Sequence, residues 1–109
     1  MTAAINQFQD YLSIQRGYSA GTVEGYCIDL KMFNNYLVRK KIIPDVTSIE
    51  EQHIISFLSY LSHPDDGKKP ISVISRARKL ASIRSFFTYL RKRKQIEQSP
   101  ALDIELPSL

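Results

Sequence analysis

A single cysteine, Cys27, stands in a chain of 109 residues, so no internal disulfide framework is available and a reducing compartment fits. No apolar run approaches the roughly 18 residues that a membrane span requires. The N-terminus, Met-Thr-Ala-Ala-Ile-Asn-Gln-Phe, lacks the basic start and apolar block of a signal peptide, which leads to the expectation of a cytoplasmic protein. There is no Gly-rich phosphate loop and no low-complexity segment or internal repeat. Glycine and proline are sparse, at four and five. The most telling deficit is local: from Lys68 to Lys94 there is no Asp or Glu at all.

That segment holds ten Lys or Arg, while the remaining chain has five basic and eleven acidic residues and is net −6. The overall +4 therefore conceals a strong asymmetry, and an anionic partner follows from it, nucleic acid ahead of anionic membrane. Within the segment, Val73, Ala77, Leu80, Ile83, Phe87 and Leu90 recur at helical spacing and predict an apolar stripe on one helix over Ser72–Leu90, capped by Ser72. The opposite face carries Ser75, Arg78, Ser82, Ser85 and Tyr89, a small, polar, cationic surface suited to lying near a polyanion.

Upstream, Ile5, Phe8 and Leu12 predict a helix over Ala3–Arg16, broken by Gly17-Tyr18. Ser19 is placed to cap a second helix over Ala20–Lys40, with Val23, Tyr26, Cys27, Leu30, Phe33 and Leu37 on its apolar side. Gly25 costs about 1 kcal/mol there relative to Ala and suggests close approach by another element. Arg39-Lys40-Lys41 complements the helix dipole. Ser48-x-x-Glu51 has capping-box spacing and predicts a third helix over Ile49–Ser62. His63 to Pro70 is a loop, and Asp65-Asp66 in it reads as a solvated tip. Ser99-Pro100-Ala101-Leu102 predicts a short last helix, and Asp103 onward has no helical period. The apolar stripes must share one core, so the fold class is all-α, a helical bundle.

Signals for catalysis are weak. Neither His53 nor His63 has partners at metal-ligand spacing, and Cys27 falls on an apolar face, where a packed thiol outweighs a nucleophile. No metal or cofactor is expected. The signal for nucleic acid is stronger, because phosphate contacts need Lys, Arg and hydroxyls and base contacts need a helix that enters the major groove. Each candidate also has a plain structural reading. Arg76 lies near the apolar stripe and could run its stem along the core; Arg84 could hold a helix end; Tyr26 is better explained by packing; Arg91–Lys94 could serve the helix C-terminus.

Four stretches resemble, in order, the N-terminal core-binding (SAM-like) domain of tyrosine recombinases, the phage-integrase and Xer class. Phe8-x-x-Tyr11-Leu12 with Arg16-Gly17-Tyr18-Ser19-x-x-Thr22-x-x-x-Tyr26-x-x-Asp29-Leu30-x-x-Phe33-x-x-Tyr36-Leu37 is similar to the first two helices. Ile54-x-x-Phe57-Leu58-x-x-Leu61 is similar to the third. Ser75-x-x-Arg78-Lys79-Leu80-x-x-Ile83-Arg84-Ser85-Phe86-Phe87-x-Tyr89-Leu90 is similar to the fourth. Ser99-Pro100-Ala101 resembles a closing Asn-Pro-Ala, with Ser in place of Asn.

The resemblance implies a four-helix SAM-like orthogonal bundle with a short fifth helical turn. It implies a DNA-binding domain over 1–102 and, over 103–109, the start of a linker to a catalytic domain. It implies half of a C-shaped clamp on double-stranded DNA, the second and fourth helices facing the major groove, with Ser19, Thr22, Tyr26, Ser75, Arg78, Lys79, Ser82 and Arg84 as DNA contacts. A separate domain of the same polypeptide would supply the catalytic Arg, Lys, His-x-x-Arg and tyrosine nucleophile, and protomers would assemble on DNA. His53 is followed by Ile-Ile-Ser and His63 by Pro-Asp-Asp, so this chain has no His-x-x-Arg and is expected to be a non-catalytic fragment without a further arm domain. The competing expectation is a basic helical domain that binds an acidic protein partner.

Overall fold

The structure, a computed structural model, describes residues 1–106. The expected linker over 103–109 is thus described only as far as Leu106, and residues 107–109 lie outside the described residues. All regular structure among the described residues is helical: α1 (Thr2–Asp10) continues into a π-helical turn over Tyr11–Gln15, followed by α2 (Ala20–Arg39), α3 (Glu51–Ser62) and α4 (Val73–Lys92). No helix among them is long and apolar enough to cross a membrane.

The first helix does not run regularly to Arg16. Its last turn widens, so that the Arg16 amide reaches the Tyr11 carbonyl at 3.1 Å, five residues back, and the Tyr18 amide reaches Leu12 at 3.0 Å. Gly17, at φ +64, then turns the chain in a region that side chains disfavour. Ser19 caps α2 as expected, its hydroxyl accepting from the Thr22 amide at 3.3 Å. α3 begins two residues later than expected. Its capping box is formed by Glu50 and His53, not Ser48 and Glu51, with the Glu50 amide donating to His53 Nδ1 at 2.9 Å. Ile49 is buried just ahead of this cap, and the extended backbone at Glu50 (φ −112, ψ 163) separates it from the helix. His53 therefore serves the helix start.

α4 is the central helix, packed against α1, α2 and α3. Ser72 caps it through the Ser75 amide at 3.3 Å. Leu80, Ile83, Phe87 and Leu90 are buried as expected. Ala77 is exposed, however, and Lys79, Ser82, Phe86 and Tyr89 are buried in addition. A helix contacted from three directions has no single stripe, and the polar face assigned to Ser82 and Tyr89 is in part an internal one.

Two aromatic groups lock the bundle. Phe8 of α1 meets Phe86 and Tyr89 of α4 at ring separations of 5.5 and 5.2 Å. Phe57 of α3 meets Phe33 and Tyr36 of α2 at 5.2 and 5.4 Å. Such pairs contribute about 0.5–1.5 kcal/mol each beyond burial. The fifth helical turn reduces to a hydrogen-bonded turn at Ser99–Leu102, which buries Ala101, and the chain beyond it buries Ile104 in the same core.

α2 and α4 end alike. Lys41 and Lys94 both stand at φ +61, one residue beyond the C-cap. The following amides, of Ile42 and Gln95, return to the carbonyls of Leu37 and Leu90 at 2.9 and 3.0 Å, closing a Schellman turn. The basic run after α2 also forms ion pairs, with Lys40 Nζ 2.7 Å from Asp65 and Arg39 3.4 Å from it. The Tyr60 hydroxyl donates to Asp66 at 2.6 Å. Asp65-Asp66 is thus a tether between the loop and the end of α2. Lys40 first, then Arg39, hold Asp65 below the usual carboxylate range, and the Tyr60 hydroxyl does the same for Asp66.

Candidate nucleic-acid interface

α2 and α4 lie side by side and leave a groove of about 240 Å³ between them, lined by Gly21, Thr22, Gly25, Tyr26, Arg78 and Ala81, with Asp29 and Ser82 at its base. An added Cβ at Gly21 or Gly25 would meet no heavy atom within 4 Å. Among the described residues none packs within 4 Å of a Cβ placed at Gly25, contrary to the expected close approach. The space over the α2 backbone is open, and Ala81 keeps the facing side of α4 equally low.

The floor of the groove is an ionic cluster. Asp29 is buried, and its carboxylate accepts from Ser82 Oγ at 2.7 Å, Lys79 Nζ at 3.1 Å and Arg78 Nη2 at 3.3 Å. Lys79 is nearly as enclosed as Asp29, whereas the Arg78 side chain is 67% exposed. Two cations share one anion, so the cluster keeps a net positive charge, and Arg78 carries it at the surface.

The eight residues picked out from the sequence separate accordingly. Ser19 and Thr22 are exposed at the N-terminus of α2, their hydroxyls 3.0 Å apart. Arg78 is exposed on α4, with Ser75 half-buried one turn before it, its hydroxyl 3.3 Å from that of Ser72. Tyr26 is half-buried, its ring edge-on to Phe8 at 6.1 Å and its flank in the groove. Lys79 and Ser82 do not reach the surface, because Asp29 holds them. Arg84 donates from Nε to the Ala101 carbonyl at 3.1 Å and ties the C-terminal turn to α4. Arg76 donates to the Ile71 carbonyl at the start of α4. The residue missed from the sequence is Asp29. A signal for it exists: Tyr26, Asp29, Phe33 and Tyr36 share one helical face, so an acid stands in a row of rings.

Among the described residues, no group of three or more His, Cys, Asp or Glu is placed to hold a metal. Cys27 is buried against the core, and that burial pushes its thiol pKa up, away from reactivity.

Residues 5–94 match the family model for the phage integrase N-terminal SAM-like domain. The chain is 36% identical over 107 residues to the tyrosine recombinase XerD of Listeria monocytogenes, covering 98% of this chain and 34% of that protein. It is 32% identical over 103 residues to the tyrosine recombinase XerC of Leptospira interrogans, covering 94% of this chain and 31% of the relative. A XerC of Herpetosiphon aurantiacus is 28% identical over 109 residues, covering all of this chain and 34% of the relative. The chain thus spans about a third of the length of the curated relatives it matches. No solved structure matches it.

Proposed function

The chain belongs to the phage integrase N-terminal SAM-like domain family, and from that premise we propose that it binds duplex DNA sequence-specifically, as the core-binding half of a site-specific tyrosine recombinase acting in DNA integration and recombination. The observation that carries this reading is the open α2–α4 groove with a surplus cation at its edge. Bare glycine backbone on one wall and alanine on the other let a polyanion approach closely. Arg78 is pinned by its contact with Asp29 yet exposed, so little side-chain freedom is lost when it meets a base edge or phosphate.

Roles divide along the same lines. Ser19, Thr22, Tyr26, Ser75 and Arg78 make contacts with DNA. Lys79 and Ser82 act through Asp29 to fix α4 against α2, and Arg84 ties the C-terminal turn through Nε while its terminal nitrogens stay available. On this reading the strand-exchange chemistry, in which a tyrosine displaces a deoxyribose 5′-oxygen and holds the 3′-phosphate covalently, is the work of a separate domain of the same polypeptide; this chain spans 34% of the XerD relative. Its partners on DNA are that catalytic domain and neighbouring protomers.

Fluorescence anisotropy of a labelled duplex over a salt series tests the proposal. Affinity should fall linearly on a log–log plot, with about 0.9 unit of slope for each phosphate neutralised. Absence of salt-dependent duplex binding at low ionic strength would overturn it, and binding to an acidic polypeptide equal to that to DNA would favour the protein-interaction alternative.

A further inference from the structure

A second cavity, of about 200 Å³, opens beside the groove, and Tyr26 lines both. It lies between the π-helical turn, the entry to α2 and the C-terminal half of α4. Among the described residues three cations line it, Arg16, Arg84 and Lys92, and no carboxylate does. Its remaining walls include Tyr11, Tyr18 and Tyr89. The rings of Tyr11 and Tyr89 pack against one another, tilted at 39° with centroids 4.8 Å apart.

The backbone around this cavity is unusual at two points. The π turn delivers Tyr11, and Gly17 at φ +64 folds the chain so that Tyr18 returns beneath Arg16. The Arg16 guanidinium then stands 5.1 Å over the Tyr18 ring and donates to its hydroxyl at 2.8 Å. Arg16 is thereby held ready while its side chain remains exposed. Arg84 uses Nε on Ala101, and among the described residues its two terminal nitrogens meet no acceptor. π turns occur frequently at functional sites.

We propose that this cavity seats one backbone phosphate of the bound duplex, as an anchor distinct from the Arg78 end of the groove. Convergent cations, hydroxyl donors and the lack of any carboxylate match a phosphodiester, which is anionic and rich in acceptors. An anchor of this kind sets the position of α2 and α4 along the duplex and adds affinity without regard to sequence.

The inference rests on the DNA-binding reading, and the experiment separates the two. The full chain and an Arg16→Ala/Lys92→Ala double variant are titrated against a labelled duplex of arbitrary sequence over a salt series, with circular dichroism to confirm helicity. The double variant should bind about tenfold more weakly, with the salt slope reduced by about one unit. Failure of the unaltered chain to bind at all would refute the DNA-binding reading itself. Binding by the unaltered chain with the double variant unchanged in affinity and slope would overturn the phosphate anchor alone. Should the double variant lose helicity, the Arg16 Nε–H resonance of the unaltered chain decides. A shift on adding duplex supports the anchor, and a stationary signal while α2 and α4 amides move overturns it.

Discussion

Lys79 Nζ lies 3.1 Å from Asp29 Oδ1, with only 6% and 2% of the two side chains exposed. A charge so enclosed depends on its partner. Asp29→Ala leaves a buried ammonium and should destabilise the domain by about 3–5 kcal/mol in urea unfolding, whereas replacing both residues, as Asp29→Leu with Lys79→Met, should recover most of that loss.

Arg78 and Lys79 are neighbours in sequence but should respond oppositely to removal. Arg78→Ala should weaken duplex binding roughly tenfold while shifting stability by less than about 1 kcal/mol, since its side chain is mostly in water. Lys79→Ala should show mainly as a lowered unfolding midpoint. Measuring anisotropy and thermal unfolding on the same two variants checks the division.

Gly25 has ordinary helical backbone and open space above it. Gly25→Ala should therefore raise stability by about 0.5–1 kcal/mol. Gly25→Glu should leave the helical spectrum unchanged and abolish duplex binding, because it places a carboxylate in the groove. Retained binding by the Glu variant would remove α2 from the interface.

Cys27 should react with a thiol reagent far more slowly in the folded chain than in urea. Burial raises its folded pKa above the unfolded value, so the unfolded state releases its proton first as pH rises. Stability should accordingly be undiminished below the unfolded thiol pKa of about 8.5 and decline above it. Cys27→Ala should flatten that alkaline decline.

The helices and two of their caps are legible in the sequence because Ser19 and Ser72 act on amides three residues away, a wholly local matter. The start of α3 is not. Ser48-x-x-Glu51 has the favoured residue types, and Glu50 and His53 share only its spacing; what sets them apart is the burial of Ile49, a tertiary fact. The face of α4 departs from its spacing for a related reason. A single apolar stripe presumes one neighbour, and α4 has three, which brings Ser82 and Tyr89 inside. Lys79 reads as a contact when its charge is counted without its partner. Asp29 lies fifty residues earlier and meets it only across two packed helices. The π turn at Tyr11–Gln15 leaves no mark in the spacing of Phe8 and Leu12, both of which are buried as an ordinary helix would have them.

The two Schellman turns put a lysine where glycine is the less strained residue, at Lys41 and again at Lys94. Each position holds about 1 kcal/mol of conformational energy that a Lys→Gly change would release. The domain therefore carries an untapped reserve of stability at the ends of the two helices that flank its groove. Drawing on it would strip one positive charge from each of those ends, so thermal robustness and attraction for polyanions are set against each other at the same two residues.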